Sequence, residues 1–428
     1  MAEDADVKEK SEAPAIDAKI TDEDIERARR QIDVPKFGYE PPFNMVACRN
    51  SMSHFAFGIG DDNPLWHDPD YGRKSRWRGQ IASPLYLIST GINEAPKPTG
   101  KRKELFKGLF RGVGKYFTGV SWEWYRPLYA GEEVFLEDTT SNVEVKENSK
   151  FGGGRVVFET FRYLYVNRAG EPIACREESY MNAERGGSKK AGKNESITRQ
   201  SYTREDIAEI DAKYAAEERR GSLPRYFEDV NVGDELVPVV KGPLTVLDIM
   251  GMHIGWGMGD YNIGPLRYAW KRRTKMPAFY VEDEYGVPDA MQRLHWDEKR
   301  ARQLGLPAPY DYGQMRTTWL AHLVTNWMGD DAWLWKLSNQ MRAFNFQGDT
   351  HTCTGRVVGK REENGHCIVD LAIEATNQRG QVTAPGTASV ILPSRVHGAV
   401  TLPRPPEKFV QRGANMMAEA AARLRGEA

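Results

Sequence analysis

Two stretches of this chain carry the same short pattern in the same setting. Gly60-Asp61-Asp62-Asn63 closes one apolar helical run, and Gly259-Asp260-Tyr261-Asn262 closes another. The first run, 44–58, puts Met45, Cys48, Met52, Phe55 and Ala56 on one side. The second, 246–259, opens with Thr245 as N-cap and Asp248 three residues later, a capping-box variant. After each comes a long region of alternating, β-branched and aromatic residues with a turn inside it, at Arg168-Ala169-Gly170 and at Gln378-Arg379-Gly380. A duplicated unit of this kind has few solutions: a long helix is buried against its own antiparallel sheet, twice. The expected class is α+β, helix on sheet.

The layout follows from composition along the chain. Residues 1–36 form a polar N-terminal extension, with a short charged helix at 21–32 capped by Thr21. The first unit spans 37–185. A Gly/Ser/Lys-rich stretch and a charged helical piece form the linker, 186–224. The second unit spans 225–396 and carries an insert, 263–294, containing Tyr268, Trp270, Phe279 and Tyr280. These aromatics fit a lid or pocket wall, or an ordinary mini-core. The tail, 397–428, ends in an Ala/Arg helix with no partner evident from the sequence.

Composition excludes several classes. Lys+Arg 59 against Asp+Glu 60 gives net charge −1, so no general attraction to nucleic acid or anionic membrane is expected. No apolar run reaches membrane-helix length, and the N-terminus has no signal-peptide core. The four cysteines, Cys48, Cys175, Cys353 and Cys367, form no C-x-x-C pair, so neither a metal site nor a disulfide framework is expected. A soluble cytoplasmic protein is the expectation.

The chemistry is concentrated in the second unit. His295 opens a His-x-Asp segment, which turns through Gly305, Pro307 and Pro309 and enters an apolar helix at Gly313. An imidazole moves protons near neutral pH, and free amides at a helix start hold an oxyanion. The carboxylate partner is Asp260: if the insert loops out, Asp260 and His295 meet, and together they can activate one water. Each residue also has a plainer role. Asp260 fits a helix cap or turn, His295 a cap, Asn262 a turn former, Gly313 a steric need, and Asp297 an N-cap. In the first unit Asp61 and Asn63 are present, but the histidine position falls on Trp66, and His67 comes one residue late. The first unit therefore reads as non-catalytic, with Asp61 and His67 as the alternative site.

As a set, GDDNPLWHDPDYG and RPLYAGE in the first half, and FEDVNVGDEL, GDYN, HWDEKRARQLGLPAPYDYG, FQGDT and NQRG in the second, resemble the MaoC-like hot-dog hydratases and dehydratases. The first half resembles their N-terminal dehydratase domain. The resemblance implies a double hot-dog fold and reversible addition of water to a trans-2-enoyl thioester, giving an (R)-3-hydroxyacyl product. It implies Asp260 and His295 as the catalytic pair, Asn262 and Gly313 as oxyanion or substrate-binding residues, and CoA as part of the substrate. It implies no separate cofactor or metal, and a homodimer or pseudo-dimeric monomer. The chain departs from the pattern in the interrupted Asp-to-His spacing, in Asn262-Ile263 where Asn-Pro is usual, and in Tyr310-Asp311-Tyr312 before Gly313. These departures suggest a reshaped pocket for a bulky or branched acyl group. A hot-dog thioesterase and a non-catalytic acyl-CoA-binding subunit are the competing readings.

Overall fold

A computed structural model describes residues 18–38, 41–147, 154–184, 198–257, 264–304 and 306–426. The helices are α1 (Asp22–Arg29), α2 (Arg49–Gly58), α3 (Pro64–His67), α4 (Pro69–Lys74), α5 (Gly100–Leu105), α6 (Arg204–Ala215), α7 (Val246–Trp256), α8 (Arg267–Lys275), α9 (Glu298–Gln303), α10 (Gly313–Met328) and α11 (Glu407–Leu424). The strands are β1 (Gly114–Trp124), β2 (Phe135–Lys146), β3 (Val156–Val166), β4 (Pro172–Ala183), β5 (Val239–Lys241), β6 (Tyr280–Glu282), β7 (Pro288–Ala290), β8 (Trp333–Gln340), β9 (His351–Glu363), β10 (His366–Asn377) and β11 (Val382–Leu392).

The duplication is written in the sheet. Its nine strands run β2-β3-β4-β1-β8-β11-β10-β9-β5. From the centre outward the first unit runs β1, β4, β3, β2 and the second β8, β11, β10, β9, with the short β5 added at the second unit's outer edge. The two units join through β1 and β8, antiparallel, with Gly119 opposite Gln340 and Glu123 opposite Lys336. Gly119 is needed at this seam, since a Cβ there would lie 2.6 Å from the Asn339 carbonyl oxygen. Both expected turns are present, and Gly170 and Gly380 take the positive φ that tight turns demand (81° and 74°). The fold is α+β, a double hot-dog made within one chain.

The wrapped helix is not the one the sequence pattern suggested. The expectation was 246–259. The structure gives that place to α10, in which every residue from Gln314 to Met328 is buried. Its polar side chains find partners inside, Arg316 at the Ala343 and Thr383 carbonyls and Thr317 at Asn339 Oδ1, so the helix is covered all round. α7 starts where its capping box puts it, with Thr245 Oγ1 accepting from the Asp248 amide at 3.3 Å. It lies against α2 instead, and Leu247 and Ile254 stay exposed. The α2–α7 approach is close: a Cβ on Gly58 would sit 2.3 Å from the Gly251 carbonyl oxygen. α2 itself starts five residues later than its apolar pattern, at Arg49 after Cys48, and leaves Met45 exposed. In the first half the apolar run before β1 makes only a 3-10 helix, Pro84–Ser89.

Both chain ends dock on the first half. α1 is capped by Thr21 as expected, and Ile20, Ile25 and Ala28 pack with Phe110, Val113, Val143 and Val157. α11 finds its partner there too. Met416 packs with Phe135, Leu164 and Val166, Arg412 pairs with Glu137, and Gly413 lies directly on Gly170. No helix among the described residues is long and apolar enough to cross a membrane.

Candidate active site

His295 closes a 3-10 helix, Met291–His295, and is buried. Its Nδ1 lies 2.8 Å from the Tyr310 carbonyl oxygen. A carbonyl only accepts, so Nδ1 carries the proton and Nε2 is left as the basic nitrogen. Burial lowers the imidazole pKa to about 4. The ring therefore stays neutral at physiological pH, the form a general base requires. Gln347 Nε2 donates to the His295 carbonyl at 3.1 Å and fixes the backbone.

The tripeptide before Gly313 builds the surroundings. Tyr312 lies against His295, ring centroids 3.9 Å apart, and its hydroxyl is 3.0 Å from His253 Nε2. Tyr310 meets the other edge of His295 at 4.7 Å. Asp311 points into the core, where its Oδ2 is 2.9 Å from Arg316 Nε and accepts from Asn345 at 2.9 Å. The two tyrosines thus hold the imidazole while the aspartate between them pins the entry to α10. Gly313 is a steric requirement, because a Cβ would lie 2.5 Å from Phe117 Cδ1 on β1 of the first unit. That contact sets the start of α10, with its first-turn amides, at the seam between the units. Asp297 N-caps α9, accepting from the Arg300 amide at 3.0 Å.

Asp260 and Asn262 lie outside the described residues. The described chain on their N-terminal side ends α7, whose Trp256 and His253 both contact Tyr312, at 5.9 and 4.9 Å. In the insert, α8 has no buried residue, and Tyr268 and Trp270 are exposed beneath Lys271 and Arg267 respectively. They form no mini-core.

The alternative pair is arranged otherwise. Trp66, at the register position of the missing histidine, donates from Nε1 to Asp61 Oδ2 at 3.0 Å. His67 has both nitrogens engaged, with Ser53 Oγ at 2.8 Å and the Asp61 carbonyl oxygen at 2.8 Å. Asp61 also borders a buried charge cluster that joins the units. His322 of α10 lies 3.7 Å from Asp61 Oδ1 and 3.1 Å from Glu217 Oε1, and Lys241 Nζ is 2.8 Å from His322 Nδ1. Burial lowers the Lys241 pKa, opposed by Glu217 and Asp61.

Sequence reasoning missed His253, Tyr312 and this cluster. His253 and Trp256 share a helical face at i, i+3 spacing, which was a readable sign of a common target. Nothing local marks Glu217, in the segment read as linker, as a residue that reaches the core.

Two hot-dog units sharing one antiparallel sheet define the fold class. Comparison with solved structures agrees. A protein described as a MaoC-like dehydratase superposes with TM-score 0.54 at 16% identity, covering 85% of this chain and 99% of its own. A putative MaoC domain protein dehydratase from Chloroflexus aurantiacus J-10-fl gives TM-score 0.50 at 10% identity, covering 82% and 93%. Residues 39–176 match the family model described as FAS1-like, dehydratase domain region. No curated protein matches the chain in sequence. The chain has the double hot-dog fold seen in MaoC-like dehydratases.

Proposed function

We propose that the chain is a hydro-lyase that adds water reversibly to a trans-2-enoyl-CoA, giving the (R)-3-hydroxyacyl-CoA. The observation that carries this reading is His295: neutral, buried, its Nδ1 proton spent on a carbonyl, and its ring beside the entry to α10. In the forward direction Nε2 removes a proton from water as the oxygen bonds to C3. The electron pair moves to the thioester oxygen, where first-turn amides of α10 from Gly313 stabilise the enolate. The proton that His295 took from the water is then passed by way of Asp260, the second member of the pair, to C2, so that both groups end as they began. Asn262 orients the substrate.

The first unit supplies the room. Among the described residues it has no counterpart to α10, and a cavity of about 350 Å³ lies over its sheet, lined by Lys36, Lys115, Asp138, Glu159, Phe161 and Asn182. Phe117, which touches Gly313, packs on Tyr180, and Tyr180 on Phe161. This row of rings leads from the catalytic seam toward the cavity and supports a bulky acyl group, one bearing polar atoms.

The test is turnover of a panel of trans-2-enoyl-CoAs of increasing bulk, followed by loss of the conjugated enoyl-thioester absorbance. Loss of turnover in both His295→Ala and Asp260→Asn is the expected result. Turnover that survives both moves the site to Asp61 and His67. Release of CoA thiol from saturated acyl-CoA would make it a thioesterase, and binding without turnover a partner subunit.

A further inference from the structure

Far from that seam, one group of metal-ligating side chains converges on the rim of the second unit. β9 and β10 are joined by a tight Asn364-Gly365 turn, both residues at positive φ (51° and 79°). The register sets Glu362 directly opposite Cys367, which puts both side chains on the same face. After β11 the chain makes a second tight turn, closed by reciprocal backbone bonds between Ser394 and Gly398 (2.9 and 2.8 Å). That turn is anchored: Ser394 Oγ donates to Glu228 Oε1 at 2.5 Å, and the Arg395 amide donates to Glu228 Oε2 at 3.1 Å. It brings His397 over the strand pair, with Nε2 3.2 Å from Glu362 Oε2. The thiol sulfur, the imidazole nitrogen and the carboxylate oxygen all lie within 4.8 Å of one another.

We propose that Glu362, Cys367 and His397 bind a divalent transition-metal ion of borderline softness, zinc being the best fit, with water completing a tetrahedron. One thiolate, one imidazole and one carboxylate is a mixed S/N/O set that suits zinc and does not suit calcium or magnesium, which take oxygen ligands. Two ligands are fixed by strand register and the third by an anchored turn, so little ordering entropy opposes binding. The environment favours a cation. Cys367 is buried, and the Glu362 carboxylate lies directly across the strand pair from it. The neighbouring cations are committed elsewhere: Lys360 to the carbonyls of Phe227 and Val230, and Arg361 to Asp370 and Glu363. Binding converts the thiol to thiolate and releases its proton to solvent. The ion would clamp the 394–398 turn onto the β9–β10 hairpin. The plain alternative is an exposed Glu–His ion pair beside an unrelated thiol.

Cobalt(II) is the probe, since it replaces zinc and reports on a coordinated thiolate. The full-length, untagged, metal-stripped protein is titrated with Co²⁺ under reducing conditions. One equivalent should produce a near-ultraviolet thiolate-to-cobalt charge-transfer band with visible bands of tetrahedral intensity, and Zn²⁺ should erase both. Cys367→Ser should abolish the charge-transfer band, while Cys48→Ser, which changes an exposed cysteine elsewhere, should leave it intact. His397→Ala and Glu362→Gln should each weaken binding about tenfold or more. Circular dichroism of the metal-free variants checks that each is folded. A protein that gives no thiolate band, a band that survives Cys367→Ser, or affinity indifferent to His397→Ala would overturn the proposal.

Discussion

Lowering the pH from about 7 to about 5 should destabilise this protein through its buried imidazoles. Burial lowers the pKa of His253 and His295 to about 4 and that of His351 to about 3, against 6.5 for an exposed imidazole. The sign follows from proton binding. Below 6.5 the unfolded chain takes up a proton at each site, while the folded chain refuses it until its own depressed pKa. Stability is therefore intact above about 6.5 and falls as pH drops toward the folded values. At about pH 5 each site costs about 2 kcal/mol relative to neutral pH. Each site can be removed while its hydrogen bond is kept. Asn at 295 still offers an N–H to the Tyr310 carbonyl, and Gln at 253 still reaches the Tyr312 hydroxyl. Urea unfolding followed by tryptophan fluorescence, at both pH values, gives the comparison. His295→Asn and His253→Gln should each shrink the pH-dependent loss by about 2 kcal/mol, whatever they do to stability at neutral pH. If both variants lose as much as the wild type, the imidazoles protonate in the folded protein at ordinary pH, and the neutral base assigned to His295 falls with them.

Other perturbations test the architecture. Lys241→Met strands His322, Glu217 and Asp61 in the core and should destabilise by about 3 kcal/mol or more, read by chemical denaturation. Gly313→Ala must push Phe117 away from the start of α10; about 1–3 kcal/mol of overpacking and a large fall in kcat at little change in KM are expected, measured by denaturation and by enoyl-CoA turnover. Trp66→Phe removes the indole donor from Asp61 and should cost about 1–3 kcal/mol of stability while leaving turnover unchanged, which separates a structural first half from a catalytic one. Met416→Ala should loosen α11 from the first sheet at a cost of about 2 kcal/mol or more, with faster proteolysis of the tail as the check.

What the sequence disclosed depended on how local each signal was. The two turns, the caps at Thr21 and Thr245, the strand-rich halves and the duplication all rest on contacts a few residues apart, and all are present. The identity of the wrapped helix was not local. Both 246–256 and 313–328 are apolar, and only the tertiary arrangement decides that α10 goes inside the sheet while α7 lies on α2. Gly251 and Gly255 were readable in hindsight: small residues four apart on a helix allow another backbone to approach, and α2 takes that place. The docking of α11 needed a partner over two hundred residues away. A separation of about a hundred residues hid Glu217 and His322, which become neighbours only when the linker segment folds back onto α10.

The two copies have diverged around the same motif, and the proposed chemistry draws on the second. In the first, the motif aspartate is tied to an indole and a backbone amide, and the following histidine is turned onto a serine and a carbonyl. The Asp61 carboxylate faces a different imidazole, that of His322, 3.7 Å from its Oδ1. In the second, the imidazole keeps a basic nitrogen, and the helix after it is long, buried and free to direct its first amides at the seam. Phe117 presses on Gly313 and aligns the helix start, and the first unit, with no counterpart to α10 among the described residues, keeps a cavity over its sheet. Two identical units would each need both a helix and a space over the same sheet. Dividing the tasks within one chain removes that conflict, and the β1–β8 seam keeps the divided parts in register.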